Sequence, residues 1–124
     1  MPIIDANVIL RYLLQDIPDQ AEEARKIIMA GAFATVEVLA EVVYVLINVY
    51  HADRDIVSGT LGAFIQEIEV PDKASLQYAF RLFKNSRFDF VDCILAGYHY
   101  VTGSDVITFD KKLQKCLQTN PLQD

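Results

Sequence analysis

Short apolar segments recur along the chain, each closed by a helix start or stop signal. Pro2 to Ile4 predicts a short buried strand, and Val8 to Leu14, apolar on most sides, a helix packed on a sheet. Asp16-Ile17-Pro18-Asp19 opens a second helix with proline near its first position; Gln20 to Met29 continues it and Gly31 closes it. Ala32 to Ala34 predicts a second strand, and Thr35 caps a helix over Val36 to Tyr50. The Val and Ile content of that stretch would also suit a strand. Length decides, because fifteen residues is about three times a typical strand. Glu37, Glu41, Tyr44 and Asn48 also fall three and four apart, on one stripe.

A further helix follows over Asp53 to Gln66, weakened by Gly59 and Gly62, then a third strand at Ile68 to Val70 ended by Pro71. Asp72 caps a helix to about Lys84. Ser86-Arg87-Phe88-Asp89 has the form of a capping box before the apolar run Phe90 to Val101, which Gly103 ends. Val106 to Thr108 is the last predicted strand, and Asp110 starts a final helix, KKLQKCL. Short strands alternating with helices predict an α/β fold, a three-layer α/β/α sandwich around a central parallel sheet. Right-handed crossovers then start each helix that follows a strand at the carboxyl edge of the sheet, where ligands bind in such folds.

That topology gives the acids their meaning. Asp5 ends the first strand, Asp110 the last, and Glu41 lies in the second turn of the helix after strand two. Asp92, early in its own helix, joins them if that helix starts at the same edge. Read alone, Asp5 and Asp110 are N-caps, Glu41 an exposed position, and Asp89 part of the capping box. Asp92 resists such a reading, standing past the cap among Phe90, Val91, Cys93, Ile94 and Leu95. Converging carboxylates repel one another, and a divalent cation removes that penalty. Oxygen donors select Mg²⁺ or Mn²⁺, and such sites are suited to phosphodiester hydrolysis. No Ser-His or Cys-His arrangement offers a protein nucleophile.

Bulk composition narrows the classes further. The chain has 124 residues, 52% hydrophobic and 23% charged, consistent with one globular domain over residues 1–124. No repeat, linker or signal-peptide pattern stands out. The longest apolar run, Val36 to Tyr50, is interrupted by Glu37, Glu41 and Asn48 and is too short to span a bilayer, so the expectation is a cytoplasmic protein with no membrane contact. Cys93 and Cys116 read as buried thiols, and His51 and His99 stand alone. The net charge of −6 argues mildly against nonspecific nucleic-acid binding. Lys84 and Arg87 precede the Asp92 helix, however, and Lys111, Lys112 and Lys115 follow Asp110. Arg81, Lys84 and Arg87 are spaced like one helical face. Any one of these is a solvated surface charge; together they are candidate contacts for a nucleic-acid backbone.

IIDANVILRYL, ATVEVLAEVVYVL, FDFVDCILAGY and VITFDKKL, in that order, resemble a PIN-domain nuclease, most closely the small single-domain type found as the toxin of VapBC-like toxin–antitoxin pairs. Carried over, the resemblance implies Asp5, Glu41, Asp92 and Asp110 as the catalytic acids. Asp5 and Asp92 are then direct metal ligands, and Asp110 and Glu41 complete the shell directly or through water. Asn7 and Thr108 match polar positions that support the acids or a metal-bound water. It further implies Mg²⁺- or Mn²⁺-dependent endoribonuclease activity, homodimerisation and inhibition by a small antitoxin. His51 to Gln66 is the least diagnostic stretch. A phosphoacceptor receiver domain would need an acid beside Asp5, and a HAD-type phosphatase D-x-D where this chain has D-x-N. A non-catalytic descendant would have no need of a repulsive acidic cluster, although an RNA-processing or RNA-binding role on the same fold stays open.

Overall fold

The structure is a computed structural model describing residues 1–123. These residues form two compact units, Met1–Asp53 with Ala63–Pro71, and Arg54–Gly62 with the chain from Asp72 onward.

In the first unit Asp5 is extended, and its Oδ1 accepts the Val8 N–H at 3.0 Å, opening helix α1 (Ala6–Leu14). Gln15 ends it in the left-handed region at φ 56°, its N–H bonded to the Arg11 carbonyl at 3.1 Å. Pro18 occupies the first turn of α2 (Pro18–Met29), where its missing N–H costs nothing. Gly31, at φ 103°, supplies the left-handed residue after that helix. The Thr35 hydroxyl accepts from Val38 N–H at 3.2 Å to start α3 (Val36–Asn48). Helix α3 buries Leu39, Val42, Val43 and Leu46 and leaves the stripe of Glu37, Glu41, Tyr44 and Asn48 exposed, so its polar face falls where the sequence puts it. Helix α1 packs against both α2 and α3.

Three short segments pair in parallel in this unit, Ile3 with Phe33 and Phe33 with Glu69. The Ile4 N–H donates to the Phe33 carbonyl at 2.9 Å and Phe33 N–H to Pro2 at 2.8 Å. On the other side Ala34 N–H donates to Glu69 at 3.0 Å and Glu69 N–H to Ala32 at 2.9 Å. Residues 32–34 thus lie between the other two segments. Parallel pairing puts the ends of the first two segments, Asp5 and Thr35, on one edge.

The second unit is helical: most of α4 (Arg54–Phe64), then α5 (Lys73–Lys84), α6 (Phe90–Gly97), which runs on into a π-helical turn at Tyr98–Thr102, and α7 (Lys111–Gln118). Gly97 lets α5 and α6 meet, since a Cβ there would lie 2.5 Å from the Ser75 carbonyl oxygen. Phe90 stacks on Phe80 at 4.8 Å between centroids and meets Phe83 edge-on at 5.8 Å. The guanidinium of Arg54 lies 3.5 Å from the Phe83 ring centroid and donates to the Phe83 and Phe88 carbonyls at 2.8 and 2.5 Å, tying the start of α4 to the α5–α6 turn. Burial lowers its affinity for the proton. The two thiols are buried and unpaired, with burial pushing Cys93 up to about 12 and Cys116 up as well, so neither is a nucleophile.

Several expectations are corrected. Among the described residues the predicted sheet amounts to two single-residue bridges, so the three-layer sandwich is not drawn as such. Each predicted segment is only about three residues long, enough for one pair of hydrogen bonds per neighbour. Val106 to Thr108 has no bridge: the Gln114 side chain donates to the Thr108 carbonyl at 2.6 Å, and Ile107 is 91% exposed. The expected capping box is absent, because Ser86 Oγ accepts from Phe88 N–H at 3.3 Å, two residues away, and Asp89 caps without its side chain. Asp72 is left-handed, at φ 47°, a geometry in which its carboxylate makes no cap bond. The run Phe90 to Val101 is not one α-helix but α6 with a π turn, closed as expected by Gly103 at φ 75°. No helix among the described residues is long and apolar enough to cross a membrane.

Candidate active site

Asp5 holds two positions at once. Its Oδ1 is committed to the α1 cap, while the side chain lines a cleft of about 330 Å³ in the first unit, together with Asn7, Val8 and Arg11 of α1 and Gln20, Glu23, Ala24 and Ile27 of α2. Arg11 is fixed on the α1 wall. Its Nη1 lies 3.2 Å from Asp16 Oδ2, its Nη2 donates to the Tyr50 hydroxyl at 3.4 Å, and its Nε is buried without a partner. Glu41 is exposed in the second turn of α3, the helix that leaves the same edge as Asp5.

Asp110 repeats the Asp5 arrangement in the second unit. Its Oδ1 accepts from Leu113 N–H at 2.9 Å to cap α7, and its own N–H donates to the Thr108 hydroxyl at 3.1 Å. Thr108 therefore holds the backbone from which Asp110 projects. Asp92 stands in the first turn of α6, half-buried. Burial raises its affinity for the proton, and the negative charges of Asp89 and Asp110 raise it further. The helix N-terminus would lower it, but burial and like charge prevail. Lys84, Arg87, Lys111 and Lys112 are all exposed.

A family model described as the PIN domain matches residues 3–116, a span running through both units. The chain belongs to the PIN-domain family. PIN domains are generally nucleases, with a fold suited to metal-dependent hydrolysis, and typically use Mg²⁺ or Mn²⁺. Nothing among curated proteins or solved structures matches the chain.

Within each unit this PIN domain brings some predicted residues together. Asp5 and Asn7 share one cleft, and Asp92 and Asp110 lie within electrostatic reach of each other. Among the described residues no group of three or more His, Cys, Asp or Glu is gathered so as to hold a metal ion. The donor chemistry nevertheless fits a hard divalent cation. Capping occupies one oxygen of Asp5 and one of Asp110 and leaves the second free. Asp92 sits where like charge and burial disfavour a bare carboxylate, a cost that a bound cation offsets. Sequence reasoning passed over Arg11, Gln20 and Glu23. Their signal was spacing, with Arg11 two helical steps of three beyond Asp5 and Glu23 three beyond Gln20.

Proposed function

We propose that this PIN domain is a Mg²⁺- or Mn²⁺-dependent endoribonuclease, acting in the cytoplasm as the toxin of a toxin–antitoxin pair. Asp5, Glu41, Asp92 and Asp110 are its catalytic acids, and Asp5, Asp92 and Asp110 the carboxylates that would hold the metal. The observation that carries the reading is Asp92, a carboxylate kept in a half-buried, like-charged place in a chain of a nuclease family. A purely structural position would favour a neutral side chain there.

What a bound divalent cation supplies is an activated water near neutral pH and a counter-charge for phosphate oxygens. The residues supply the rest. The α1 and α7 caps fix the rotamers of Asp5 and Asp110, so each free oxygen is presented without further loss of side-chain entropy. Asn7 offers an amide beside Asp5, and Thr108 holds the Asp110 backbone. Lys84, Arg87, Lys111 and Lys112 are exposed donors for backbone phosphates. Homodimerisation through α3 is part of the proposal, supported by the exposed Tyr44, Val49 and Tyr50 at and after its C-terminal half.

Incubation of the purified protein with single-stranded RNA and Mg²⁺ tests the reading. Asp5→Asn retains a capping side chain, so the variant is expected to fold and to lose cleavage. Undiminished cleavage by this variant would remove the assignment. A short upstream reading frame for a DNA-binding antitoxin separates the toxin role from RNA processing, which keeps the same chemistry without such a partner.

A further inference from the structure

The cleft beside Asp5 carries more recognition chemistry than hydrolysis needs. On α2, Gln20, Glu23, Ala24 and Ile27 lie three, four and seven residues along from the first, which lays them along one stripe facing Val8 and Arg11 of α1. Ala24 is buried and Val8 and Ile27 half-buried, giving the cleft an apolar wall. Gln20 and Glu23 are exposed at its rim. Glu22, the neighbour of Glu23, is tied to Arg25 at 2.7 Å, and the only other ion pair among the described residues is Arg11–Asp16, so Glu23 has no cationic partner. On the opposite wall the Arg11 guanidinium is immobilised by Asp16 and Tyr50.

We propose that this cleft is a guanine-selective nucleotide subsite adjoining the scissile position, an inference that rests on the ribonuclease reading above. Single-stranded RNA is read by splaying out a base, covering its face and bonding its Watson–Crick edge. Val8, Ala24 and Ile27 cover the face. The Glu23 carboxylate only accepts, and among the four bases guanine alone offers two adjacent donors on that edge, N1–H and the N2 amino group. Gln20 donates its amide N–H to guanine O6. Arg11, held by Asp16 and Tyr50, fixes the α1 wall, and the volume of about 330 Å³ is that of a small-ligand site. Adenine and cytosine present an acceptor beside their amino group, and uracil flanks its single donor with two carbonyls, so each would face the Glu23 carboxylate with an unpaired acceptor.

The test is binding of 5′-GMP, AMP, CMP and UMP to the intact protein without added metal, followed by calorimetry and by amide chemical shifts. GMP should bind tightest and shift the amide signals of α2 around Gln20 and Glu23. Glu23→Gln presents a donor beside an acceptor, and should weaken GMP by about tenfold or more while narrowing its lead over AMP. Equal binding of the four nucleotides, no binding at all, or a GMP affinity unmoved by Glu23→Gln would overturn the subsite. Mn²⁺ broadening of the Glu23 signals with no response to GMP would also overturn it, assigning the cleft to a cation instead. Cleavage of mixed-sequence RNA separates this inference from the one it rests on. A GMP preference without any cleavage leaves the subsite and removes the nuclease reading, whereas cleavage with no guanine at a fixed offset does the reverse.

Discussion

Asp92 is the residue whose chemistry and stability are opposed. Its proton affinity is raised in the folded protein, so between its unfolded and folded pKa values the native state binds more protons than the unfolded one, and stability falls as pH rises through that window. Asp92→Asn removes this loss. The variant should melt higher than the parent at pH 7 and show little difference below the ordinary Asp range; thermal melts at the two pH values check it. Added Mg²⁺ should raise the parent's melting temperature and leave that of the variant nearly unchanged. Asp5 shows the complementary case. Asp5→Ala should cost about 1 kcal/mol through the missing cap, while Asp5→Asn keeps most of it, a comparison read from urea midpoints.

The elements were legible where their signals are local. Asp5, Thr35 and Asp110 each cap a helix with a side-chain oxygen, and Pro18 opens another, as the adjacent letters require. What escaped depends on distant partners. Three-residue segments carry too little pattern to fix their pairing, so Ala32 to Ala34 found neighbours on two sides and Val106 to Thr108 none. The clamp of Arg54 on the Phe83 and Phe88 carbonyls joins positions far apart in sequence and was invisible there. The acids were singled out by expected topology and family pattern, but among the described residues no three of them gather into one metal-holding group. Arg11 and Glu23 were not singled out, since their roles depend on how α1 and α2 face each other. At this scale Gly97→Ala is informative. Its helix propensity improves, yet the added Cβ meets the Ser75 carbonyl at 2.5 Å, so a net destabilisation of about 1–3 kcal/mol is expected from denaturant titration.

For the whole molecule the charge balance sets how the proposed RNA substrate would be held. A net charge of −6 repels a polyanion at long range, so binding must rest on a few local cations. Replacing both Lys111 and Lys112 with alanine should weaken binding to single-stranded RNA of any sequence and flatten its salt dependence by about 0.7 in log–log slope for each phosphate no longer neutralised. Filter binding at several salt concentrations measures it. The exposed Tyr44, Val49 and Tyr50 predict a dimer at micromolar concentration that Tyr44→Glu weakens. Sedimentation of a purely monomeric parent would contradict that arrangement.

In the proposed nuclease Asp5 and Asp110 would each serve both a helix cap and catalysis, which has a genetic consequence. An Asp codon becomes an Asn codon by one base change, and Asn caps a helix about as well as Asp. Disarming the proposed nuclease would therefore take a single letter and leave its folding almost untouched. A population carrying a harmful active copy would reach an intact but silent one more easily than a truncated or misfolded one. Such silent copies would keep every surface that the proposed antitoxin would recognise, and would compete for it as well as the active form.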